Sequence, residues 1–254
     1  MRRFVALNAA LISAVLIAVS VPAEAAEVST AERPADTLAK LRAQLVAGHG
    51  VKVVERRWTY IDHKLSPTVD WIEGVLQFNR SGVAGYDVRV KSGPMSGRIR
   101  SLAIGPYTYQ SGGSIAQSLP KGKKWRRMPS KPGRRSPFLT QMMIVEPATM
   151  KAVLATTTHY ESGVYRGAIT LGRLYAVSPS YHADVANKPD ARESELTINW
   201  LLATNSKGLP SYLVTKLADP DDSLGYVARN SEVLFTFWGK KVDLTPPPLN
   251  TINS

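Results

Sequence analysis

The sequence predicts an α+β domain in which one curved antiparallel sheet carries short helices on one face. Three observations predict it. Tyr86-Asp87-Val88-Arg89-Val90-Lys91 alternates strictly between apolar and polar residues, the pattern of a strand with one buried and one wet face. Glu195-Leu196-Thr197-Ile198-Asn199-Trp200 alternates in the same way near the other end of the chain. Between them Phe138, Leu139, Met142 and Met143 return at helical spacing. Successive strands joined by short turns favour antiparallel pairing, and helices gathered on one side would cover one face of such a sheet. A sandwich of two sheets is the alternative.

The elements follow in order. Met1-Arg2-Arg3, the apolar run Ala9 to Val19 and the small residues of Pro22-Ala23-Glu24-Ala25 predict a secretory signal peptide over residues 1–25, cleaved after Ala25. The other reading is a retained anchor. Val5 to Val21 is borderline for a bilayer, which needs about 17–25 apolar residues, and Asn8 interrupts it. The residues around Arg2-Arg3 do not complete a twin-arginine signal. Residues 26–33 read as a polar leader. Pro34 suits a first helical turn, Leu38, Leu41 and Leu45 recur at helical spacing, and Gly48 stops the helix, so a helix is expected over 34–47. Strands are expected over 51–62, 68–79, 86–91, 98–104 and 107–110, separated by Ser66-Pro67, Arg80-Ser81-Gly82 and Ser92-Gly93-Pro94. A helix over 137–154 is expected to break at Pro147. Strands return over 165–177, 195–202, 211–217 and 233–238, with a turn at Asn205–Pro210. The domain spans 34–248, and 249–254 is expected to be a loose tail.

Composition narrows the function classes. The chain has 254 residues, 44% of them hydrophobic, enough for a sizeable core. It has no cysteine, which excludes thiol nucleophiles, cysteine metal sites and a lipid attached through an N-terminal cysteine. An exported domain of this size has core enough to do without disulfides. The net charge of +12 draws polyanions. For an exported, extracellular or cell-envelope protein these are anionic membrane surfaces, wall polymers or acidic glycans rather than nucleic acid.

No motif for catalysis, a cofactor or a metal emerges. The four histidines, His49, His63, His159 and His182, are not at metal-ligand spacing. Asp62-His63 stands next to a turn with nothing local to support a triad, though a triad is recognised by geometry rather than by sequence. Asp70 and Glu73, three apart in a strand, point to opposite faces and do not form a glycosidase pair. Gly112-Gly113-Ser114 reads as a turn. The basic run is more informative. Lys121, Lys123, Lys124, Arg126, Arg127, Lys131, Arg134 and Arg135 surround Trp125 with no acid among them. It reads either as a solvated loop beside a strand or as a surface that docks on an anionic membrane, where each basic residue contributes roughly 1 kcal/mol. Trp58, Trp71, Trp200 and Trp238 fall in expected strands, as core packing would have them, and Trp125 stands within the basic run. Met142, Met143 and Met150 are adaptable side chains that suit core filling or a variable apolar ligand.

Three segments resemble the LolA-like and LppX/LprG-like lipoprotein-carrier superfamily. They are Tyr107-Thr108-Tyr109 with Leu119-Pro120-Lys121-Gly122-Lys123-Lys124-Trp125; Trp200 with Gly208-Leu209-Pro210; and Phe237-Trp238-Gly239-Lys240-Lys241-Val242 with Pro246-Pro247. The resemblance implies an open half-barrel sheet wrapped over short helices, enclosing an apolar cavity. It implies a non-enzymatic carrier of lipid, lipoprotein or acylated glycolipid, or else an envelope sensor that binds a partner protein. A secreted hydrolase is the remaining alternative. The chain departs from many actinobacterial members in lacking the lipid-bearing cysteine. Alternation and helix faces nominate Leu76, Phe78, Leu102, Ile104, Met142, Met143, Leu196, Ile198 and Trp200 as cavity lining.

Overall fold

The structure, a computed structural model, describes residues 34–93, 97–130, 142–185, 187–222 and 224–253. The expected signal peptide and leader lie outside these residues, as do Phe138, Leu139, Lys131, Arg134 and Arg135 of the expected helix and basic run.

The chain begins with α1 (Pro34–Ala43), then β1 (His49–Ile61), β2 (Lys64–Asn79), β3 (Gly82–Ser92), β4 (Arg98–Ile104), β5 (Tyr107–Gly112), α2 (Gly113–Gln117) and β6 (Trp125–Pro129). The second half holds α3 (Pro147–Leu154), β7 (Thr157–Glu161), β8 (Val164–Thr170), α4 (Leu171–Val177), α5 (Pro179–Asp184), α6 (Ala191–Glu195), β9 (Thr197–Thr204), β10 (Pro210–Asp222), β11 (Gly225–Lys241) and β12 (Ile252–Asn253). The strands form one open sheet in the order β12-β6-β5-β4-β3-β2-β1-β11-β10-β9-β8-β7. Every pairing is antiparallel except that of β12 with β6. The expected α+β class and single antiparallel sheet are what the chain adopts, not a sandwich.

Topology explains the covering. β6 and β7 lie towards opposite edges of the sheet, so the connection between them has to traverse its width. That traverse lays Met142–Val145 and α3 across one face, here called the inner face. The sheet curves around this layer. Ala103 on β4 and Tyr165 on β8, far apart in strand order, belong to one cluster with Leu41, Met150, Val153 and Leu174. After β11, Val242 and Leu244 run along the other face towards β12. Gly50 and Gly85 lie beneath them: a Cβ on Gly50 would run into the carbonyl oxygen of Leu76 and meet Val242 Cγ2 at 2.7 Å, and one on Gly85 would run into the carbonyl oxygen of Ala103 and meet Leu244 Cδ1 at 2.8 Å.

Several elements depart from expectation. α1 ends at Ala43, because Gln44 N donates to Leu41 O at 3.0 Å and Leu45 N to Arg42 O at 3.1 Å, three-residue closures that tighten and end the helix. β2 runs through positions 66 and 67, and the break expected there becomes a register shift opposite Trp58–Tyr60. Pro147 starts α3 at its first turn rather than breaking a longer helix. The strand expected over 165–177 stops at Thr170, whose hydroxyl accepts from Arg173 N and opens α4. Ser178 opens α5 in the same way, and Asp190 with Glu193 forms a capping box on α6. The expected tail is instead a single 3-10 turn and β12, with Ile252 buried against Leu102 and Tyr109.

Candidate functional site

The inner face is built from alternate strand positions. On β1 these are Val51, Val53, Glu55, Arg57 and Thr59. The row through Glu55 runs Val90–Ile72–Glu55–Val233–Leu213–Leu202–Tyr165. Apart from the carboxylate of Glu55, which is fully buried, this row is apolar or aromatic. One step along, the character changes. Ser92, Asp70, Arg57, Ser231, Thr215, Trp200, Gly167 and Thr157 form a single row across the strands from β3 to β7. Arg57 Nε donates to Asp70 Oδ2 at 3.0 Å, and Ser92 Oγ donates to Asp70 Oδ1. Thr215 and Ser231 share a hydrogen bond of 2.7 Å, and Trp200 Nε1 donates to Thr156 Oγ1 at 3.2 Å. A polar belt therefore crosses the inner face beside its apolar layer, with its buried groups hydrogen-bonded.

The cover over this layer is made of short pieces. α3 buries Thr149, Met150, Ala152, Val153 and Leu154. Polar contacts tie the cover down. Thr37 Oγ1 on α1 meets Tyr165 OH on β8 at 3.0 Å, both residues fully buried. Glu146, at the start of α3, accepts from Thr149 Oγ1 and Ser178 Oγ at 2.8 Å each and from Ser180 N at 3.1 Å, which joins α3 to α5. α6 is tied to β10 through Arg192 Nη1 and Asp219 Oδ1 at 2.7 Å. The Arg192 hydrogen bond holds the Asp219 carboxyl below the usual aspartate range, helped by a bond from Asp221 N. Burial, with the charge of Glu193, raises the Tyr181 phenol.

Of the nominated lining residues, Leu76, Phe78, Met142, Met143, Ile198 and Trp200 come together in the layer between sheet and helices, and Leu196 is half-buried against it. Leu102 and Ile104 lie on the opposite face, with Tyr109, Trp125, Leu244 and Ile252. On β4 the inward positions are Ser101 and Ala103. Alternation alone does not choose between the two faces, because the strap from β11 to β12 buries the second one as well. Tyr165, Leu202, Leu213 and Val233, absent from the nominated set, are central to the layer. The described side chains of the layer pack against one another across it.

The other candidate features fall elsewhere. Asp62 and His63 are the two residues of the β1–β2 turn, with φ of 47° and 62°, and the Asp62 carboxylate accepts from Tyr226 N. Asp70 faces inward and Glu73 outward, so they do not act on one substrate. Among the described residues no three His, Asp or Glu gather as metal ligands. No described helix is long and apolar enough to cross a membrane. Lys121, Lys123 and Lys124 sit in the approach to β6, where Lys123 Nζ donates to Asn250 O at 3.2 Å. Arg126 and Arg127 alternate on β6. Arg127 stacks over Tyr107 at 4.7 Å, and Arg100 covers Trp125 at 5.4 Å. The outer face carries a hollow of about 510 Å³ lined by Val69, Trp71, Glu73, Arg89, Lys91 and Arg98, among others.

No protein-family model matches the chain, and no curated protein matches it. Among solved structures it is similar to a LolA superfamily protein from Nitrosomonas europaea, at 10% identity over 86% of this chain and 96% of that one, with a TM-score of 0.31. It is also similar to an outer membrane lipoprotein-sorting protein domain from Vibrio parahaemolyticus, at 11% identity over 79% and 89%, TM-score 0.27. A DUF1329 family protein from Desulfovibrio piger follows at 8% over 84% and 93%, TM-score 0.26. At these scores the likeness carries no argument about residues or function.

Proposed function

We propose that the chain is an exported, non-enzymatic carrier. It takes the acyl part of a lipid, lipoprotein or acylated glycolipid between its sheet and its helices, and its basic residues meet an anionic membrane surface or wall polymer. One observation carries the reading: a continuous apolar layer, reaching from β3 to β8, is covered by α1, α3, α4 and α5, helices of 10, 8, 7 and 6 residues. Helices this short have little stability of their own and are held by packing. The cover can part without breaking a strand ladder, and among the described residues its side-chain ties include Thr37 to Tyr165 and the Glu146 cluster. Met142, Met143 and Met150 lie at the seam, where adaptable side chains re-pack around a chain of variable shape. Burial is worth about 0.8 kcal/mol per methylene, so a partly enclosed acyl chain competes with a bilayer.

The test is native mass spectrometry of the purified protein with analysis of its organic extract. Added mass that matches an extracted lipid is the expected result. Unliganded protein only, together with extracts at background after exposure to bilayers, overturns the reading. A second reading is favoured by the layer being occupied by the chain's own side chains: an envelope sensor or interaction module that binds another protein. Under that reading, capture from envelope extracts recovers a stoichiometric protein partner and no lipid.

A further inference from the structure

The outer face of an antiparallel sheet with one covered side is ordinarily polar. β2 departs from this. Val69 and Trp71 are 40% and 41% exposed, and Leu65, opposite Tyr60, is 55% exposed. Cations flank the tryptophan by register. Trp71 stands between Arg56 on β1 and Lys91 on β3, and Lys91 stands opposite Arg98 on β4. One row away, Glu73 faces Arg89 and Arg89 faces Arg100. Arg100 is engaged by Asp87, whereas Arg89, Lys91 and Arg98 make no ion pair among the described residues. Val69, Trp71, Arg89, Lys91 and Arg98 all border the one hollow, with Glu73 as its carboxylate.

We propose that this outer patch on β2, β3 and β4 is the surface that docks on an anionic lipid bilayer, in place of the basic approach to β6. It rests on the membrane-docking part of the reading above and gives that part a location. The pairing of side chains selects the partner. A soluble polyanion would use the cations but gains nothing from Val69 and Leu65. At a bilayer surface the indole and its apolar neighbours settle at headgroup depth while Arg89, Lys91 and Arg98 meet lipid phosphates. Glu73, the carboxylate that borders the hollow, is outnumbered by the cations around it, and Asp87 is taken up by Arg100.

The experiment is flotation of the full chain with vesicles of phosphatidylcholine alone and of phosphatidylcholine with phosphatidylglycerol, at low and high salt. The wild type is expected to float with the anionic vesicles only, and less so at high salt. Trp71→Ala and the pair Lys91→Glu with Arg98→Glu are each expected to lower the bound fraction about tenfold or more. Trp71→Phe retains binding, and Lys123→Glu with Lys124→Glu changes it little. The positions are exposed, so thermal midpoints close to wild type separate lost docking from lost folding, and the charge pair decides if Trp71→Ala does not fold. Wild-type binding by the outer-face variants overturns the proposal. So does loss of binding in the Lys123/Lys124 variant alone, or binding to a soluble acidic polysaccharide with none to vesicles. Lipid carriage is read separately, by mass. Co-purified lipid with unaltered flotation of the variants sinks the docking surface and leaves carriage standing; docking through this patch without bound lipid does the reverse.

Discussion

Arg57 on β1 and Asp70 on β2 stand directly opposite each other in the ladder, and the guanidinium donates from Nε to Asp70 Oδ2 at 3.0 Å. The Asp70 side chain is 7% exposed and that of Arg57 33%, so the acid is the enclosed partner. The pair anchors the polar belt that borders the apolar layer. Removing the arginine strands an enclosed carboxylate with only Ser92 as a side-chain donor among the described residues.

Arg57→Ala is therefore expected to destabilise the fold by about 2–3 kcal/mol, with water at the exposed guanidinium holding the loss below that of a fully buried pair. Asp70→Asn, which keeps the shape, is expected to cost less. Chemical denaturation measures both. A loss below about 0.5 kcal/mol for Arg57→Ala would mean that the belt is no more than a surface contact.

Asp219 gives a pH dependence. Its carboxyl titrates below the usual aspartate range because Arg192 hydrogen-bonds the charged form. A depressed folded-state value means that its contribution is fully present above the usual aspartate range and is lost as pH falls through the lowered value. The wild type is expected to lose this increment on acidification, and Asp219→Asn to lack that part of the acid limb. Denaturation midpoints across acidic pH check it; parallel profiles would count against the coupling.

Gly167 sits under the indole of Trp200. A Cβ there would lie 2.6 Å from Trp200 Cζ2 and 2.2 Å from the carbonyl oxygen of Thr156. The oxygen belongs to the backbone and cannot swing away. Gly167→Ala is expected to cost about 1–3 kcal/mol and to shift the emission of the displaced indole. Unchanged stability and spectrum would show that the sheet edge relaxes freely.

The Glu146 cluster joins α3 to α5 through Ser178 and Ser180. Glu146→Ala removes the acceptor and is expected to destabilise by about 1–3 kcal/mol. On the carrier reading it also loosens the cover, so a fluorescent fatty-acid probe enters faster than in the wild type. Slower or unaltered entry in a variant that is measurably destabilised would show that the cover does not open at this joint.

Tyr165→Phe tests the other tie. Its hydroxyl meets Thr37 Oγ1 with both residues fully buried. A loss of about 1–2 kcal/mol is expected by thermal or chemical denaturation. Thr37→Val in the same background should then add little, since the shared bond is already gone.

The sequence by itself determined what depends on near neighbours. Strand alternation at Tyr86–Lys91 and Ile198–Trp200, the punctuation of the β2–β3 hairpin and the open antiparallel sheet with helices to one side were legible, because period and turn chemistry are local. The helix starts at Thr170, Ser178-Pro179 and Asp190-Glu193 also rest on local capping residues, but a weak strand period over 165–177 masked the first and none of the three was read from the sequence. Tertiary structure decided what depends on distant partners. The inward face of β4, the fate of Ile252 and the seat of Met142 and Met143 follow from two crossings, one over the inner face between β6 and β7 and one over the outer face between β11 and β12. Side chains there are buried by segments remote in sequence, and no pattern read along one strand encodes which face such a crossing will cover.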